Sequence, residues 1–125
     1  MRALFLALSR WPWPLRMGLY ALACAILLYL TLAPEPEVPG VGLVWDKAEH
    51  ALSWAVLTGA GLLLSTKWRW AIGVFALGFG AAVEVLQANM GLGRDGNWPD
   101  LVADSIGIAA AHLVWTLMRR LGWVR

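Results

Sequence analysis

Asp46, Lys47, His50, Glu84, Gln87, Arg94, Asp100 and Asp104 are the residues of this sequence whose types could do chemistry together, and most come in pairs at helical spacing. Asp46 and His50 are four apart, Glu84 and Gln87 three apart, and Asp100 and Asp104 four apart, so each pair shares one face of a helix that carries it. Three such faces can converge on one pocket. His50, Glu84 and Asp104 are the catalytic candidates, because an imidazole beside carboxylates has the parts of a general base. No serine or cysteine nucleophile joins the set, so enzyme status stays open. Lys47 and Arg94 are the cations that would hold an anion, and Asp46, Gln87 and Asp100 complete a ligand-binding set with the catalytic candidates. A metal site of Asp46, His50, Glu84 and Asp104 is the sharper enzymatic variant. No HxxH or HExxH spacing supports it, so neither a metal nor another cofactor is assigned.

Composition sets the elements that must position these residues. The chain has 125 residues, 60% of them hydrophobic and only 14% charged, against about 25% charged in soluble domains. A membrane domain of four spans of about 20 residues each accounts for nearly the whole length. Residues 2–13 place Leu4, Phe5 and Leu8 on one face with Arg2 and Arg10 beside two tryptophans, which predicts a short interfacial helix. An uncharged run over 17–33, with Pro14 suited to a first turn, predicts the first span. Further spans are predicted over about 45–66, 70–90 and 100–118. The expected fold is all-α: an N-terminal interfacial segment (1–13), then an antiparallel four-helix integral membrane bundle (14–125).

The first apolar run exceeds the 7–15 residues usual in a signal peptide, so it is expected to stay as a span although "TLA" before Pro34 has the small residues of a cleavage site. The proline-rich "APEPEVPG" reads as an extended loop, and the glycine-rich "GLGRDGNWP" as the loop carrying Arg94. One cysteine, Cys24, excludes an internal disulfide and reads as a packing residue. The net charge of +2 is not gathered into a basic stripe with interleaved aromatics, so no nucleic-acid partner is expected.

Eight of the ten basic residues (Arg2, Arg10, Arg16, Lys67, Arg69, Arg119, Arg120 and Arg125) fall on one side of the four-span layout, with Lys47 and Arg94 on the other. Positive charge collects in the cytoplasm, so both termini are expected there. The polar constellation then lies in one layer near the outer surface. Glu84 and Asp104 interrupt apolar helices, where a carboxylate costs about 2.5–3.5 kcal/mol on insertion scales, so both must face the bundle. The competing structural reading is that these groups staple helices to one another; ion conduction and a partner-binding surface are further alternatives. His112, two turns inward from Asp104, is expected to be a neutral histidine hydrogen-bonded across helices, and Trp54 a packing residue.

In order along the chain, Asp46-Lys47-x-x-His50, Trp54, Glu84-x-x-Gln87, Arg94 and Asp100-x-x-x-Asp104-x-x-Gly107 resemble the motifs of the VanZ-like family of small bacterial membrane proteins. The match covers about residues 45–111 and its specificity lies in the ordered set. Trp54 stands where tyrosine is common, and Asp104 where asparagine is common. The resemblance implies a multi-pass protein of the bacterial cytoplasmic (inner) membrane, in a family named for resistance to glycopeptide antibiotics. The leading expectation is a pocket at the outer membrane surface that binds a polar or phosphorylated lipid head group or cell-envelope precursor. The alternatives are an accessory subunit of an envelope complex, with a protein partner or as a homo-oligomer, and a metal-dependent membrane hydrolase using the same polar cluster.

Overall fold

The computed structural model describes residues 2–33, 43–65, 67–91, 96 and 98–124, and among them the chain is entirely helical and loop. Five helices follow in order: α1 (Arg2–Ser9), α2 (Trp13–Leu32), α3 (Leu43–Ser65), α4 (Arg69–Met90) and α5 (Trp98–Arg120). Helices α2, α4 and α5 are long and apolar enough to cross a membrane. This is a membrane protein. Among the described residues the count of such helices is three, where the sequence leads one to expect four. With 23 residues, α3 reaches about 35 Å at 1.5 Å per residue, but Asp46, Lys47, Glu49 and His50 crowd its first turns. Residues 34–40 of the expected proline-rich loop, and Arg94, lie outside the described residues.

Prolines and polar caps explain the boundaries. The first helix stops at Ser9, short of the expected residue 13, because Pro12 and Pro14 break its run. Pro12 becomes the N-cap of α2 and Pro14 occupies its first turn, where the missing N–H loses no helical bond. Arg16, one of the basic residues expected on the cytoplasmic side, is buried in the first turn of α2. Its Nη1 donates to the Leu64 carbonyl at 2.8 Å. A cation thereby meets the C-terminal end of α3, where the helix dipole favours it. The tight turn into α4 is held by the Trp68 N–H donating to Ser65 Oγ at 3.2 Å. Gly91, at φ 61°, ends α4 in the left-handed conformation. Gly122, at φ 72°, does so after α5, where the Trp123 N–H reaches the Met118 carbonyl and the Gly122 N–H that of Arg119, a Schellman closure.

Helix α3 is the hub, packed against each of the other four and most extensively against α5. Their closeness depends on Gly107, since a Cβ there would collide with the Ala51 carbonyl of α3. One core layer joins Phe5, Tyr20, Leu57, Leu62, Ile72, Trp115 and Val124, with Cys24 packed against it as expected. Phe5 meets Trp115 edge to face, at 5.9 Å between ring centres. The second layer is Trp54, Ala76, Val83 and Ile108. Leu22, Leu52, Val74 and Ile106 point outward on the long helices, a surface suited to lipid.

Candidate functional site

The polar site lies where the first turns of α3 and α5 meet the last turns of α4 and α2. In α4 the buried stripe runs through Ala76, Gly80, Val83, Glu84 and Gln87, and in α5 through Asp100, Ala103, Asp104, Gly107 and Ile108. Steps of three and four along each helix bring the polar members onto the same face as the small residues that let α3 approach.

His50 and Asp104 form the centre. Nδ1 of His50 lies 3.0 Å from Oδ1 of Asp104, both side chains being buried. The indole of Trp54, one turn further along α3, stacks beneath the imidazole with a ring separation of 5.9 Å and 17° between planes. Trp54 itself is fully enclosed, and its Nε1 donates to the Ala76 carbonyl at 3.0 Å. The packing role expected for it is therefore joined by a cross-helix hydrogen bond. Glu84 is buried on the facing side of α4, and single donor atoms of His50, Glu84 and Asp104 all lie within 4.8 Å of one another. The second carboxylate oxygen of Asp104, Oδ2, is buried and has no hydrogen-bond partner among the described residues. It faces Gly80, where a Cβ would stand 2.8 Å from it.

A second cluster forms a turn closer to the helix ends. Lys47 Nζ donates to Asp46 Oδ2 at 3.0 Å and to Asp100 Oδ1. Asp100 also sits in the first turn of α5, where a negative charge complements the helix dipole.

Between α2 and α3 opens a cavity of about 260 Å³. Its polar wall is Asp46, Glu49, His50 and Ser53, together with Thr31 of α2, and its apolar wall includes Leu27, Leu30 and Leu52. Comparison with protein-family models, curated proteins and solved structures returns no match.

The structure brings Asp46, Lys47, His50, Glu84, Asp100 and Asp104 together, as the shared faces predict. Gln87 turns elsewhere, with Nε2 donating to the Thr31 carbonyl of α2 at 2.8 Å. Lys47 pairs with carboxylates and is not part of the cavity wall. His112 presents Nε2 to Gly73 of α4, where a Cβ would stand 2.7 Å away. Thr31, Glu49, Ser53 and Gly80 are the site residues that sequence reasoning missed. Gly80 could have been found by its place four residues before Glu84, and Ser53 by its place three residues after His50.

Proposed function

We propose that the chain is a VanZ-like protein of the bacterial cytoplasmic membrane, crossing it four times, with α3 joining α2, α4 and α5 as a span and both termini in the cytoplasm. In this reading the polar cavity at the outer surface holds the head group of a membrane lipid or cell-envelope precursor. Two features support the layout. Phe5 near one end of the chain and Val124 near the other share a core layer, which fits an even number of crossings. Arg16 and Arg69 stand at that same end, against Leu64 and Trp115, as the positive-inside rule requires.

The observation that carries the head-group reading is the mixed lining of the cavity between α2 and α3. Carboxylates, a hydroxyl and an imidazole lie beside leucines, and such a pocket suits the junction between a polar head and an acyl chain. Its described charged residues are Asp46 and Glu49, and Lys47 is engaged by Asp46 and Asp100. That lining fits a hydroxyl- or amine-bearing head group; the phosphorylated alternative draws on Arg94. A link to glycopeptide tolerance rests on the family resemblance.

The test is mass spectrometry of lipids retained by protein purified in mild detergent. Wild type should carry one head-group class in near-stoichiometric amount, and Ser53→Trp, which fills the cavity, should lose it without a change in melting temperature. Equal lipid content in the two proteins would count against the head-group reading and favour an accessory subunit, for which the broad unburied face of α2 offers the docking surface.

A further inference from the structure

We propose that His50, Glu84 and Asp104 form a binding site for one first-row divalent cation in the interior of the bundle. The site stands apart from the head-group reading: it lies among α3, α4 and α5, and it shares only His50 with the cavity between α2 and α3.

The argument begins with placement. Each of three helices contributes one residue, and the chosen nitrogen and oxygen atoms lie within 4.8 Å of one another. Ligands of a tetrahedral ion with bonds of about 2.0–2.2 Å are separated by about 3.3–3.6 Å, so small side-chain rotations close the set around an ion. His50 and Asp104 already stand 3.0 Å apart. An ion would take the place of the proton between them.

The orphaned oxygen supplies an independent observation. Asp104 is fully buried, and its Oδ2 lacks a hydrogen-bond partner among the described residues although buried lone pairs are nearly always satisfied. The side chain that would crowd this oxygen is missing, because residue 80 is glycine. A cation that Asp104 holds through both carboxylate oxygens satisfies this one while it replaces the proton at Oδ1.

Charge selects this cluster over its neighbour. Asp46, His50 and Asp100 also come within ligand distance of one another, but Lys47 already sits between the two aspartates as their cation. The deeper set holds the orphaned Asp104 oxygen instead. One imidazole with two carboxylates favours zinc, manganese or iron over the all-oxygen sites of magnesium and calcium. Stacking on Trp54 fixes the plane of the His50 ring.

The experiment uses the full chain in detergent with any affinity tag removed, stripped with a chelator, dialysed against Zn2+ and then freed of excess ion. Elemental analysis should find one zinc per chain. Asp104→Asn and His50→Gln should each lower occupancy at least tenfold, whereas Lys47→Met and His112→Ala should keep it. Ser53→Trp should also keep it, so that this proposal and the head-group reading fail separately. Zinc-edge X-ray absorption of the wild type needs no variant to fold, and should show one imidazole with oxygen ligands at about 2.0–2.2 Å. No retained zinc in wild type, a coordination shell without imidazole, or full occupancy in folded Asp104→Asn would overturn the site.

Discussion

Gly107 of α5 lies against the carbonyl of Ala51 in α3, so the two helix backbones touch one turn away from the contact between His50 and Asp104. Ala51 follows His50 directly and Gly107 is three residues after Asp104. The spacing of the central polar pair is thus set by a contact in which no side chain takes part.

Gly107→Ala should therefore force the helices apart. Overpacking of this kind costs about 1–3 kcal/mol, and thermal unfolding followed by circular dichroism in detergent should show a lowered midpoint. Gly78→Ala is the control, since a Cβ there meets open space, and it should melt no lower than wild type. Equal midpoints for Gly107→Ala and wild type would refute the close approach.

Lys47→Met should destabilise the bundle by about 1–3 kcal/mol, because it strips the Asp100 carboxylate of its lysine. The loss stays below that of a fully buried pair because the Lys47 side chain keeps 28% of its exposure. Adding Asp100→Asn should recover most of it. If the two losses simply add in a double-mutant cycle, the pair is not coupled as drawn.

At the opposite end of the bundle, Arg16→Met keeps the aliphatic stem and removes the guanidinium that caps α3 at Leu64. The expected cost is about 1–2 kcal/mol, the range of a charge-assisted hydrogen bond at a helix terminus. Hydrogen exchange should quicken selectively in the last turn of α3. Uniform quickening along the chain would point to a general loss of packing instead.

Orientation can be read with single cysteines in a Cys24→Ser background. Lys67 and Met90 are both exposed and lie at the two ends of α4. A membrane-impermeant thiol reagent added to intact cells should label Met90→Cys and spare Lys67→Cys. The reverse pattern would invert the proposed topology, and equal labelling would remove α4 from the spans.

Hydropathy made the helices legible in the sequence, because a run of apolar residues ended by proline, glycine or charge has few other ways to fold. Periodicity likewise made the meeting of Asp46, His50, Asp100 and Asp104 legible, since residues four apart share a face whatever packs against it. Partner choice was not legible. Lys47 reaches Asp100 across the helix interface, and Gln87 bonds a main-chain carbonyl of α2, choices made by helix rotation and distance that single-helix spacing does not contain. The partners of Arg16 were equally hidden, since the carbonyl at the end of α3 and the ring face of Trp13 meet it only in the folded bundle.

The core layer that joins Phe5 to Trp115 and Val124 also dictates an order of assembly. Its members come from segments far apart in the sequence, so it cannot close while the ribosome is still making α5. Until then Tyr20, Leu57, Leu62 and Ile72 lack the side chains of Trp115 and Val124 that complete their layer. The docking of Val124 is in this sense a latch, thrown only once α5 is made, that ties the separately inserted helices into one folded body.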